Sequence, residues 1–127
     1  MNNREERVER RKHKVFRVLR TVFVAVRPHF DPVGRVIDIG MAGLAFAYLD
    51  TQKRPTRSFE LDIFSKHGDF YLQTIPCETI LDLKAYGSPF GPIIMRKCTV
   101  QFGDLTPRQI SQLEQFIQDH TTGETQD

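Results

Sequence analysis

Two short stretches of this 127-residue chain carry side chains suited to chemistry. The first is Arg10-Arg11-Lys12-His13-Lys14; the second, about 25 residues later, is Asp38-Ile39-Gly40-Met41-Ala42-Gly43. A guanidinium can meet O6 and N7 of a guanine with two parallel hydrogen bonds, clamp a phosphate, or stack on a base. A carboxylate such as Asp38 can accept from the N–H groups on the base's other edge. Gly40 and Gly43 permit positive φ and let a ligand approach the main chain closely. Jointly these groups suit a guanine nucleotide carrying phosphate. Taken singly, each has a plainer reading: a solvated or polyanion-binding run of cations, and an aspartate making a local Asx-type bond before a glycine turn.

Other chemistries find no footing. The chain has no Gly-x-Ser-x-Gly elbow, no phosphate loop and no Cys–His–Asn arrangement, so it is not expected to be an enzyme. His13, His29, His67 and His120 form no HxxH or HExxH pair, and Cys77 and Cys98 are too far apart for a CxxC zinc site, so neither metal nor cofactor is expected. The two cysteines read as reduced, buried thiols of a cytoplasmic protein. Glu60 and Asp62 alternate with apolar residues and read as the solvated face of a strand. No run approaches the 18 or so apolar residues of a membrane span, and the N-terminus is charged, so neither a membrane segment nor a secretory signal is expected.

The charge is unevenly placed. Residues 1–20 hold eight Lys/Arg and three Glu, a net of +5, while the remainder is net −3. A basic arm on a mildly acidic body suggests an anionic partner. Residues 1–14, with Val8 almost the only aliphatic group, cannot bury enough apolar surface to order themselves alone and read as a flexible basic arm.

From Val15 onward the elements that must hold these groups come into view. Short β-type runs cover 22–27, 34–40, 43–50, 58–66, 70–83 and 93–102, divided by turn signals such as FDPVG, HGD and AYGSPFGP. The glycine-bounded link between 34–40 and 43–50 predicts a hairpin with Asp38 beside its bend. Pro76, inside a strand-like run, predicts a bulge or an edge there. Thr106-Pro107-Arg108-Gln109 has the pattern of an N-cap, a first-turn proline and a capping box. A helix over 107–119 follows, with Ile110, Leu113 and Ile117 as its apolar stripe and Phe116 beside it. Residues 121–127 read as a frayed tail. About six strands without intervening helices fit an antiparallel barrel or sandwich.

The ERRKHK arm followed by VIDIGMAGLAF on a strand–turn–strand resembles the PilZ domain family, over residues 9–120. The resemblance implies an all-β chain with a C-terminal helix, a six-stranded antiparallel PilZ-like β-barrel occupying 15–120. It also implies a bacterial receptor or adaptor for cyclic di-GMP, binding through an RxxxR motif in the arm and a [D/N]xSxxG motif at a β-turn. Carried over by position, Asp38 would bond a guanine, Gly43 would shape the turn, Gly40 stands at the serine position, and Arg10 and Arg11 with Lys14 would fold over the ligand. The sequence departs from the pattern twice. Read from Arg11, the second arginine falls on Val15; read from Arg10, it falls on Lys14; and Gly40 lacks the serine hydroxyl. The expected partners are cyclic di-GMP and an unidentified protein, with no membrane, and nucleic acid ranks last. Two other readings stay open: a degenerate barrel that kept a protein-interaction role without the nucleotide, and a small nucleic-acid-binding barrel using the basic arm, with its ten phenylalanines and three tyrosines as stacking platforms.

Overall fold

A computed structural model describes residues 14–19, 21–85 and 93–124. Among the described residues the strands are β1 (Val15–Val18), β2 (Val22–Val26), β3 (Val33–Gly40), β4 (Gly43–Leu49), β5 (Ser58–Ser65), β6 (Tyr71–Ala85), β7 (Met95–Phe102) and β8 (Thr121–Glu124), with one helix, α1 (Pro107–His120). All pairings are antiparallel. The order β2-β5-β6-β7-β4-β3 closes through a further β2–β3 pairing, which makes a six-stranded barrel. β1 and β8 extend β3 outside that ring.

β3 organises this arrangement. Its N-terminal half pairs with β2 (Phe23 opposite Arg35, Ala25 opposite Val33), and its C-terminal half pairs with β1 (Val15 opposite Gly40, Arg17 opposite Asp38). Its other edge pairs with β4 through the expected hairpin, Met41 and Ala42 forming the link. Inward residues of the six barrel strands, among them Val24, Val36, Ile39, Phe46, Tyr48, Leu61, Ile63, Leu72, Ile75 and Val100, fill the barrel, and Leu113 and Phe116 of α1 join the same core. Burial of apolar surface on this scale is what closes so small a ring.

The helix is capped as its sequence suggests. Thr106 Oγ1 accepts from the Gln109 amide at 3.1 Å, and Gln109 Oε1 accepts from the Thr106 amide at 3.0 Å. The stripe differs from expectation. Leu113 and Phe116 are the buried pair, while Ile110 is 40% exposed. Phe116 sits centrally because Phe70 and His120 pack on it, at ring-centroid distances of 4.6 and 4.9 Å.

The tail also differs: Thr121–Glu124 is not frayed but forms β8, paired with β1. The physical reason is that β1 offers a free edge just where α1 ends, and the Leu19 amide already donates to the His120 carbonyl at 3.0 Å. Residues 125–127 lie outside the described residues, as does the glycine- and proline-rich run 86–92 that the sequence assigns to a loop. Pro76 pairs with Glu60 of β5 at the point where the β6–β7 ladder ends, and the bulge falls two residues earlier, at Thr74.

That bulge holds a second correction. Asp62 is not on a solvated face; it is fully buried. Arg27 Nε and Nη2 donate to its two carboxylate oxygens at 2.7 and 3.0 Å, the Tyr71 hydroxyl donates at 2.6 Å, and the Thr74 amide donates at 2.9 Å. Thr74 has φ +53°, a costly conformation for a β-branched residue, and the bond from its amide helps to offset that cost. Tyr71 stacks on Phe64, and the Arg27 guanidinium lies 5.3 Å from the centre of the Phe30 ring. Burial pushes the Asp62 carboxyl up, but the bonds from Arg27, Tyr71 and Thr74 outweigh it and hold the group below its ordinary value.

Both thiols are free and buried. Burial raises Cys77 strongly and Cys98 to about 11, so neither offers a thiolate near neutrality.

Because the folded-state value of Asp62 is depressed, its stabilisation is complete above the unfolded carboxylate value of about 3.9 and is lost as pH falls through the folded one. Asp62→Asn is expected to cost on the order of 3 kcal/mol at pH 7, since it leaves Arg27 without its counter-charge. Urea unfolding at pH 7 and pH 3 should show the gap between the variant and the unmodified protein narrowing at the lower pH.

Candidate functional site

The β3–β4 hairpin, the start of β1 and the C-terminal half of β7 together frame a cleft of about 220 Å³ on the outside of the barrel. Its lining includes Lys14, Val15, Asp38, Gly40, Gly43 and Gln101. Four of the residues singled out in the sequence, Lys14, Asp38, Gly40 and Gly43, therefore meet in one place. Arg10 and Arg11 lie outside the described residues.

Strand register explains the convergence. A bulge at Ile37 shifts the β3–β4 ladder between Val36 and Asp38, so Ile39 stays in the core while Asp38 turns outward. β4 then pairs with β7, setting Ala45 opposite Thr99 and Gly43 opposite Gln101. Two rows cross the outer face: Arg17–Asp38–Ala45–Thr99, and beside it Val15 opposite Gly40 and Gly43 opposite Gln101, the two glycines standing at either end of the hairpin link. Each row ends in a polar side chain on β7; the centre of the first is the half-buried Asp38 with Ala45, and that of the second is the two glycines. A flat ring laid on such a floor would meet main chain beneath it and hydrogen-bonding groups at its rim.

The glycines serve this floor differently from expectation. Neither Gly40 nor Gly43 has positive φ; among the described glycines that conformation occurs at Gly68 and Gly123. Both are needed for space. A Cβ on Gly40 would stand 2.2 Å from the Lys14 carbonyl oxygen, and one on Gly43 would stand 2.1 Å from the Val100 carbonyl oxygen. Gly40 is thus more than a serine missing its hydroxyl. It is the position over which the root of the arm passes, and a serine there would collide with Lys14.

The sequence reading missed Thr99 and Gln101. The alternation of β7, with Arg96, Cys98, Val100 and Phe102 turned inward, signals that both face outward. Their pairing with Ala45 and Gly43 depends on contacts more than fifty residues apart in the chain. Arg17 also gains a position, directly opposite Asp38 on β1.

A polar cluster lies at the opposite end of β4 and β7. Arg96 Nε donates to Asp82 at 2.9 Å, its Nη1 donates to Asp50 at 3.3 Å, and the Tyr48 hydroxyl donates to Asp82 at 2.5 Å. Burial and that bond to Asp82 push the Tyr48 hydroxyl well up from its ordinary value. These groups satisfy one another, and they stand five residues of strand, roughly 17 Å, from Gly43.

A scan against protein-family models finds no match, and no curated protein matches the chain in sequence. Among solved structures, the chain is similar to the PilZ domain with c-di-GMP of YcgR from Escherichia coli. The TM-score is 0.56 at 12% sequence identity, covering 82% of this chain and 85% of that one. The fold is therefore PilZ-like, as the sequence resemblance implies.

Filling the floor should be costly. Gly43→Ala is expected to lower stability by about 1–3 kcal/mol in urea unfolding, because the atoms its Cβ would meet, in Val100 and Gln101, all belong to the main chain. Gly40→Ser should instead act locally, lifting Lys14 off β3 and speeding hydrogen exchange at the amides of Val15–Arg17.

Proposed function

We propose that this chain is a receptor or adaptor of the PilZ type that binds cyclic di-GMP in the Asp38–Gly43 cleft, with the basic arm closing over the ligand. One observation carries the reading: Lys14 and Val15, where the arm joins β1, line the same cleft as the Asp38-bearing hairpin. The volume of about 220 Å³ falls below the roughly 300–1,000 Å³ of sites that enclose a drug-sized molecule. The cleft therefore seats part of a dinucleotide, and the rest needs a cover. Arg10 and Arg11, a few residues before Lys14, are the groups to supply it.

Each part has a chemical task. Asp38 accepts from the N–H edge of a guanine, which adenine does not offer in the same form. The bare main chain at Gly40 and Gly43 lets the ring lie close. Guanidinium groups of the arm meet phosphate or the O6/N7 edge, and Lys14 acts as a point charge toward phosphate. Closure of a basic arm on a dianion changes the surface offered to a protein partner, and that is the signal. The role is one of binding and carries no catalysis, in keeping with a bacterial, cytoplasmic adaptor.

Calorimetric titration tests the reading. Cyclic di-GMP should bind and cyclic di-AMP should not, while Asp38→Ala and Arg11→Ala should each weaken binding by one to two decades, the loss expected for a hydrogen bond to a charged group. Absence of heat with the unmodified protein at high ligand concentration would sink the receptor reading and leave a barrel that works through protein contacts alone.

A further inference from the structure

β6 is much longer than the wall it builds. Its 15 residues pair with β5 only as far as Glu78, opposite Ser58, whereas its pairing with β7 continues to Ala85. Beyond Arg57, whose carbonyl accepts from the Thr79 amide at 2.8 Å, no described residue pairs with the other edge of Ile80–Ala85. The segment also exposes large apolar side chains: Ile80 57%, Leu81 50% and Leu83 55%. An edge that is both unpaired and apolar is a template for another strand.

We infer that this edge pairs with the same edge of a second copy of the chain, antiparallel, about a two-fold axis at Leu83. The argument for a second copy is self-complementarity. The β6–β7 register puts Leu81, Leu83 and Ala85 on the outer face with Thr99, Lys97 and Met95, and puts Asp82 and Lys84 on the inner face with Cys98 and Arg96. Antiparallel pairing centred on Leu83 sets Leu83 against Leu83 of the second copy and Leu81 against its Ala85, both on the apolar face. On the other face it sets Asp82 against Lys84 twice over, opposite charges at cross-strand distance.

Moving the axis to Asp82 would oppose two aspartates directly, which costs energy. A lysine on an edge strand ordinarily discourages pairing. Here the second copy brings it a carboxylate. Asp82 accepts one bond at each oxygen, from Arg96 and from Tyr48, and keeps lone pairs for a further donor. The closed two-fold arrangement uses one patch on both chains and leaves no new edge to propagate. The inference stands independently of the nucleotide reading.

Sedimentation equilibrium of the full chain tests it, without nucleotide and across a concentration series. The expected result is a monomer–dimer equilibrium whose dissociation constant rises at least tenfold in Leu83→Glu and in Lys84→Glu, both at exposed positions. Register is tested by mild oxidation. Leu83→Cys should give a disulfide-linked dimer, because residue 83 faces itself across the axis. Leu81→Cys should not, because its two copies lie about four residues of strand, roughly 14 Å, apart. Cys77 and Cys98 are buried and add no background. A protein that stays monomeric to several hundred micromolar, a dimer indifferent to Leu83→Glu, or cross-linking at 81 in place of 83 would each overturn the proposal.

Discussion

One edge of β3 is shared between two strands, and the candidate site exists because of that division. β2 takes the first half and, along the same residues, pairs with β5 on its other edge, which closes the barrel. The second half, from Asp38 to Gly40, would be bare if β1 did not take it. β1 can lie there only because residue 40 has no side chain, since the Lys14 carbonyl occupies the space a Cβ would fill. The absence of a side chain at residue 40 thus lets Lys14 and the start of β1 lie beside the aspartate.

Two kinds of polar group follow from this scaffold, and their environments separate them. Asp62 and Arg96 sit where the barrel must bury charge, and each is bonded on several sides by groups brought from distant strands. Such networks fix register and gain nothing from a ligand. Asp38, Thr99 and Gln101 lie on the outer face, around a floor of glycine and alanine where a ligand has room to settle. The difference is one of position relative to the barrel wall, since aspartates of identical chemistry stand in both settings.

The hairpin and its aspartate were legible in the sequence because the signals are local: alternating residues on either side of a two-residue link. The helix start at Thr106 was legible for the same reason. Asp62 misled because alternation reports only which face a residue occupies, and the groups that bury it arrive from 35 residues away at Arg27 and from Tyr71 on the next strand. Gly40 was readable as a glycine but not as a crossing point, since the constraint comes from Lys14, 26 residues earlier in the chain. β8 carries no strand signature of its own. Thr-Thr-Gly-Glu pairs because an edge stands ready, a cause that belongs to the assembled fold.

β8 begins at the residue after α1 ends, and it is zipped to β1, which carries the root of the arm. The helix cannot swing away from the barrel without drawing β8 along, and β8 cannot part from β1 without uncovering the strand that lies over Gly40. The two ends of the described chain form one cooperative unit, a foldon in which opening at either end is felt at the other. Whatever steadies β1 against β3 also tightens the cover of hydrophobic side chains that α1 lays on the core.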